Sequence, residues 1–280
     1  MTSTARLWRF SRRHPDIAIG GALVAGLIIV AAFAPYVSRY SPNEMALASR
    51  LQPPSMEHLL GTDEFGRDML SRIIYGARAS LQVGLVTVLI AGLLGTSLGL
   101  LSGYYGGFID NVIMRVIDMI LAFPTILLAL VIVTALGPSL TNLMIAMGVV
   151  YTPQFARIAR GSTLAVKSSE YIEAARSLGA TAGRINLRHV LPNILSPLLV
   201  QATISIAFAI LAEAALSFLG LGIQPPKPSW GSMLNQGRTY MALSPWLVIS
   251  PGVAIMVTVL TFNFLGDALR DYLDPRLIHQ

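Results

Sequence analysis

The chain has 280 residues, of which 54% are hydrophobic and only 12% charged, and its mean hydropathy is +0.65. That balance is too apolar for a water-soluble domain and marks a polytopic membrane protein, leaving no room for a large aqueous domain beside spans of about 20 residues each. The net charge of +6 does not indicate nucleic acid, because the basic residues are spread through loops without interleaved aromatics, and the lack of cysteine removes disulfides, thiolate metal sites and cysteine nucleophiles.

The N-tail, residues 1–16, carries Arg6, Arg9, Arg12 and Arg13 ahead of an uncharged run from Ile17 to Val37. This reads as a helix (17–37) with its N-terminus in the cytoplasm. Ala32-Phe33-Ala34 resembles a signal-peptide cleavage site, but the apolar run is longer than a usual signal core and Pro35 follows directly, so a retained anchor is expected. Residues 38–78 form an extracytoplasmic loop in which Asp63, Glu64 and Asp68 accompany Arg67 and Arg72. Further apolar runs at 81–101, 112–136, 140–158, 197–219 and 246–265 bring the expected total to six transmembrane helices. The N-tail, the short turn after the second span, the loop around 159–196 with its flank and the C-tail, 271–280, are then cytoplasmic, and with Arg115, Arg157 and Arg270 beside them they account for 13 of the 20 Lys and Arg residues.

Within the second span, Gly95, Gly99 and Gly103 recur every four residues and form a smooth stripe that lets another helix approach closely. Packing inside the subunit is the expected role. Arg115 and Asp118, three apart, share a helix face and can pair near the cytoplasmic end of the third span, as a structural more than a functional pair. Glu213 has no cation within one turn in the fifth span. It can line a translocation path, bind a polar group of a neighbouring subunit, or make a packing hydrogen bond.

Enzymatic chemistry is poorly represented. The phosphate-binding G-x-x-x-x-G-K-[S/T] loop is missing, and neither Lys167 nor Lys227 sits in such a context. There is no H-E-x-x-H, and His14, His58, His189 and His279 are scattered, so no metal site is expected. Ser217 and Ser244 have no neighbouring base in the sequence to activate them.

The most polar segment, 169–193, lies between two membrane-length runs. Ser169 is placed to cap a short helix, with Glu170 and Glu173 near its first-turn amides and Gly179 able to end it in a left-handed conformation. Two turns are not stable alone in water, so this helix must dock on something. Thr181 caps a second helix, with Arg184 and Arg188 on one face, until Pro192 marks the return to the membrane. A basic second helix could simply lie on anionic lipid. The first, small-faced and glycine-stopped, suits a protein groove better.

The segment EAARSLGATAGRINLRHVLPN resembles the EAA loop of the permeases of binding-protein-dependent ATP-binding-cassette importers, with Glu173, Ala174, Ala175, Gly179, Leu191 and Pro192 at the positions of that pattern. Four further segments extend the likeness: LGTDEFGRDMLSRIIYGARASL from Leu60, ILAFPTILLAL from Ile120, AEAALSFLGLGIQPPKPSWGSML from Ala212 and FNFLGDALRDYLDPR from Phe262. Nearly the whole chain is similar to the C-type permease subunit of dipeptide, oligopeptide and nickel importers. The resemblance implies an all-α type I importer permease (MetI-like) fold, with a permease domain over 79–270 preceded by an extra N-terminal helix.

It also implies that Ser169 to Gly179 is a coupling helix seated in a cleft of an ATPase subunit. Glu173 would face polar or basic groups there, while Ala174, Ala175 and Gly179 permit a close fit. The implied partners are a second homologous permease, two ATPases and an extracytoplasmic binding protein, in the bacterial plasma (inner) membrane, with no cofactor in this chain. Dipeptides, longer peptides, glutathione and nickel chelates all stay open as substrates. An ion-driven carrier would need a relay of buried ionisable groups, for which only Glu213 and the Arg115/Asp118 pair are available.

Overall fold

The computed structural model describes residues 14–273. Arg6, Arg9, Arg12 and Arg13 of the N-tail, and Arg276 and His279 of the C-tail, lie outside the described residues. The elements are α1 Pro15–Ala32, with one further turn at Ala34–Val37, α2 Met69–Tyr105, α3 Gly107–Leu121, α4 Thr125–Leu136 and α5 Leu140–Lys167. They continue with α6 Glu170–Ser177, α7 Ala182–Ile185, α8 Leu191–Phe218, α9 Trp230–Gly237 and α10 Trp246–Leu273. Among the described residues the fold is helical, with one isolated antiparallel bridge between Thr62 and Asp68.

Length and apolarity support four membrane crossings, or five if a bent pair counts as one, against the six expected. Two local causes account for the difference. The run 112–136 is not one straight helix: α3 and α4 meet at 91° around Phe123 and Pro124. Proline lacks an amide hydrogen to donate and excludes the helical conformation from the residue before it, so the helix ends there. The other cause is α5, which has 28 residues but is interrupted by Asn142, Thr152, Gln154, Arg157 and Arg160. Asn142, Gln154, Arg157 and Arg160 meet partners on neighbouring helices and Thr152 bonds back to Gly148 O, so α5 does not need a uniformly apolar surface.

Pro192 also behaves differently from the expectation. The helix starting at Ala182 does not stop at Pro192 but runs on to Phe218 as one element of 37 residues. A π-turn at Asn186–Val190 precedes the proline and widens the backbone spacing where its missing amide would interrupt the ladder.

The centre of the bundle is the packing of α2 on α5. A Cβ added at Gly95 would come within 2.5 Å of Phe155 Cβ and Thr152 O, at Gly99 within 2.4 Å of Ala156 O, and at Gly103 within 2.8 Å of Thr163 Cβ. The glycine stripe therefore sets the interhelical distance, bringing the α2 backbone against carbonyls and Cβ atoms of α5, as the spacing suggested. α8 and α10 pack against each other beside this pair, and α1 lies across α10 where Gly20 faces Leu265.

At one end of the bundle, residues 38–68 fold into a polar lobe on α9 and the start of α10. Asp63 Oδ2 accepts from Arg67 Nε at 2.5 Å and lies 3.5 Å from Arg72 Nε, while Asp63 Oδ1 accepts from the amides of Phe65 and Arg67. Arg72 donates further to Pro42 O and Gln236 Oε1. Asp68 caps α2 by accepting from Ser71 N at 2.8 Å and pairs with His58 Nδ1 at 2.9 Å. Asp63, Arg67, Arg72 and Asp68 are all buried. The charges that offset one another in the sequence thus form a closed network, which is what makes their burial tolerable.

Two outcomes test this packing. Gly99→Val is expected to lower stability by about 3 kcal/mol, whereas Gly26→Ala, whose methyl would meet nothing within 4 Å, is expected to leave it unchanged; thermal unfolding in detergent measures both. Asp63→Ala leaves two buried guanidinium groups short of a partner and is expected to destabilise the lobe by about 3–5 kcal/mol. Limited trypsin digestion reads this as new cleavage at Arg67 and Arg72.

Candidate functional site

α6 sits beyond the end of α5, outside the bundle. It is joined to the bundle by one apolar side chain, Ile172, which is 0% exposed and continues the core formed by Ile185, Val190 and Ile194. The rest of the surface is open. Tyr171 is half exposed, Leu178 is 89% exposed, and Glu170, Glu173, Ala174 and Gly179 all face outward, while Ala175 is partly covered. A two-turn helix with one anchor and an exposed leucine at its end is incomplete by itself.

Its ends follow the sequence in part. Ser169 occupies the N-cap position with extended backbone angles, but its hydroxyl does not cap α6. Instead Ser169 Oγ donates to Val166 O at 2.5 Å, joining the backbone amides of Ser168 and Ser169 on that carbonyl at the end of α5, because only two residues separate the helices. Glu170 and Glu173 lie in the first turn as expected. At the other end Gly179 has φ +80°, and the amides of Gly179 and Ala180 donate to Arg176 O and Ala175 O at 3.0 and 3.1 Å, a Schellman ending. Nothing lies within 4 Å of a Cβ built on Gly179, so its backbone conformation, not crowding within this chain, calls for glycine. Thr181 does cap the next turn, accepting from Arg184 N at 3.4 Å. Leu191 is partly buried and Pro192 exposed within the first turn of α8.

Two contacts tie this region to the bundle. Lys167, at the end of α5, donates to Tyr104 O at 2.5 Å, placing a cation on the carboxyl end of α2, and the Arg176 guanidinium lies 6.0 Å from the Tyr104 ring. Nearby, Arg160 of α5 holds Asp110 of α3 with two parallel bonds of 2.6 Å, and Ser102 of α2 donates to the same carboxylate. Three helices are fastened there by one bidentate pair.

The expected Arg115–Asp118 pair does not form. Asp118 accepts from Arg157 Nη2 of α5 at 2.7 Å, with both side chains more than half exposed, and Arg115 makes no ion pair among the described residues. The i,i+3 spacing allowed the pair, but the same type of side chain on the adjacent helix, Arg157, takes the carboxylate. Of the three readings open for Glu213, its geometry supplies the hydrogen bonds of the packing one. It is 0% exposed, and its two oxygens accept from Ser80 Oγ of α2 at 3.0 Å and Ser217 Oγ at 2.6 Å. Ser80 is 133 positions away, so no local reading could have named it.

A cavity of about 860 Å³ lies between α4, α5, α8 and α10. Tyr151 and Gln154 of α5, Gln201, Phe208 and Phe218 of α8 and Leu234 of α9 are among its lining, which contains no Asp, Glu, Lys, Arg or His. Gln201 Nε2 donates to Gln154 Oε1 at 3.0 Å and to Ser205 Oγ at 2.9 Å. Glu213 is not part of the wall. The sequence signal for the two glutamines was an amide inside an otherwise apolar run, a weaker cue than a charge. Among the described residues, no three His, Asp or Glu side chains gather to hold a metal ion.

Comparison with known proteins gives consistent likenesses. A family described as the binding-protein-dependent transport system inner membrane component matches residues 95–279, and one described as the N-terminal TM domain of oligopeptide transport permease C matches residues 3–54. The dipeptide transport system permease protein DppC of Alkalihalophilus pseudofirmus is 49% identical over 92% of this chain and 85% of its own length. The glutathione transport system permease protein GsiD of Pectobacterium atrosepticum is 46% identical over 99% of this chain and 92% of its own. Among solved structures, an inward-facing MetNI methionine ABC transporter chain matches 74% of this chain and 98% of its own length with a TM-score of 0.60 at 20% identity, a likeness of fold.

The ending of α6 carries a prediction. Gly179→Val forces a branched side chain into the left-handed region and is expected to cost about 1–2 kcal/mol locally, whereas Gly179→Asn is expected to cost much less. Hydrogen exchange of the Ala180 amide, which the Schellman ending protects, should quicken by about 5–30-fold in the valine variant only.

Proposed function

Because this chain belongs to the family of binding-protein-dependent transport system inner membrane components, we propose that it carries peptides inward across a bacterial plasma membrane, paired with a second, homologous permease. The chain is a multi-pass permease subunit, and its family implies ATPase and substrate-binding partners. The proposal goes further by giving α6 the coupling role. α6 docks in a groove of an ATPase subunit, so that closure of two ATPases moves it and with it the membrane helices.

One observation carries this reading: α6 has one buried side chain, Ile172, and offers Tyr171, Ala174, Leu178 and Gly179 outward, flanked by Glu170 and Glu173. Small residues let a partner's backbone approach, the exposed leucine needs an apolar cover, and the glutamates suit basic groups at the groove's edge. Ser169, Leu191 and Pro192 shape the chain's entry to and exit from this unit. The rigid link through Lys167 and Tyr104 ties its motion to α2 and α5. Arg115, exposed beside Asp118, is available to the second permease.

On this reading the α6 end is cytoplasmic, as are both termini, and the 38–68 lobe faces outward, where an extracytoplasmic binding protein delivers substrate. Peptides are the substrate class, dipeptides and glutathione included, since relatives bear those names. An ion-driven alternative would use buried ionisable groups as a relay. Among the described residues, however, the hydrogen-bond partners of the Glu213 carboxyl are serine hydroxyls, not a second titratable side chain.

Cysteine placement tests the arrangement. In the assembled importer, Ala174→Cys is expected to crosslink to an ATPase subunit, and Met56→Cys, at a position 89% exposed in the lobe, to react with an impermeant thiol reagent from outside. Gly179→Val is expected to uncouple, retaining membrane insertion while ATP hydrolysis continues with peptide uptake reduced at least tenfold. Labelling of Ala174→Cys from outside, or full uptake by Gly179→Val, would sink the assignment.

A further inference from the structure

The cavity holds one polar feature that the coupling role does not use. Gln154 projects from α5 and Gln201 from α8, the two amides bonded to each other across the wall at 3.0 Å. Gln201 Nε2 also donates to Ser205 Oγ. This uses both hydrogens of Gln201 and one acceptor of Gln154. The amide hydrogens of Gln154 and the carbonyl oxygen of Gln201 make no other hydrogen bond among the described residues. Exchanging oxygen and nitrogen on both amides still leaves one donor group and one acceptor group free. Tyr151, three residues before Gln154 and so on the same face of α5, extends the polar strip.

Polar groups at membrane depth are costly unless they are satisfied or face a wet path. This pair is only half satisfied by its neighbours, and it faces a cavity whose remaining wall is almost wholly apolar. A free donor beside a free acceptor complements one chemical unit in particular: a peptide group, which presents a carbonyl and an N–H. No charge in the wall can attract or repel an ionised side chain. The cavity extends along α8 from Gln201 to Phe218, about 25 Å of helix at 1.5 Å per residue, so a short extended peptide fits along it.

We propose that Gln154 and Gln201 form the backbone-reading station of the transport path, binding the main-chain amide of a passing peptide irrespective of the charge of its side chains. The proposal rests on the reading of this chain as a peptide permease and assigns it specificity-determining residues. The pair discriminates in favour of amide-bearing, flexible substrates. An uncharged wall lets acidic, neutral and basic peptides pass alike, leaving finer selection to the protein that delivers them.

The test uses the complete importer in proteoliposomes, with its second permease, ATPases and binding protein, and three saturating peptides: Ala-Ala, Glu-Glu and Lys-Lys. Wild-type maximal uptake rates normalised to delivery are expected to agree within about threefold. Gln154→Leu and Gln201→Leu are each expected to reduce maximal uptake of all three about tenfold, equivalent to about 1.4 kcal/mol, without changing half-saturation set by the binding protein. Gln154→Glu keeps the shape and adds a charge, so it should slow Glu-Glu about tenfold relative to Lys-Lys, a change of selectivity that a folding defect would not produce. Wild-type rates and an unchanged Glu-Glu to Lys-Lys ratio in all three variants would overturn the station while leaving the peptide-permease reading intact. No ATP-dependent uptake of any peptide by the wild-type importer would instead overturn that reading, and the station with it.

Discussion

The backbone contact between α2 and α5 is the constraint on which the rest of the chain depends. Where Gly95, Gly99 and Gly103 face α5, α2 puts no side chain into the contact and meets the Thr152 and Ala156 carbonyls and the Cβ atoms of Phe155, Ala159 and Thr163. In lipid there is little hydrophobic drive to bring helices together, so close van der Waals packing and polar links must hold the bundle. That contact makes α5 a fixed strut. One face of the strut carries Gln154 and Tyr151 into the cavity, its middle carries Arg160 to Asp110, and its end carries Lys167 to the α2 terminus and leads within two residues into α6.

Polar groups within the bundle are tolerated because each meets a partner. Arg160, toward the α6 end of α5, meets a carboxylate with two bonds, and the buried Glu213 carboxyl of α8 is enclosed by hydroxyls from two helices. Each such group links one helix to another. The glutamine pair differs because its bonding is incomplete on the cavity side. Under the proposed coupling, a force on α6 acts on the end of the helix that carries half of this pair, so the ATPase contact and the peptide contact share one rigid element.

Local features were legible in the sequence. The four-residue glycine spacing announced a close helix contact, Gly179 announced a left-handed ending, and Thr181 announced a cap; each depends on residues within about one turn. Features fixed by tertiary distance were not. Ser169 held the cap position, but the short connection gave its hydroxyl a nearer acceptor in Val166. Asp118 had a partner at the right spacing and took Arg157, which is 39 positions away. The bend at Pro124 had a visible cause, since proline ends helices, yet an apolar run long enough to span concealed it. Gln154 and Gln201 lie 47 positions apart and carry no charge, so the local cue, an amide in an apolar run, did not show that they meet.

The central claim is that this chain moves peptides with energy delivered from outside itself through α6. It is tested most directly by measuring uptake of a labelled dipeptide into proteoliposomes that contain the assembled importer, with and without ATP and with a protonophore present. The account predicts uptake that requires ATP and the binding protein and is unaffected when the proton gradient is collapsed. Uptake that proceeds without ATP and disappears on addition of the protonophore would contradict it.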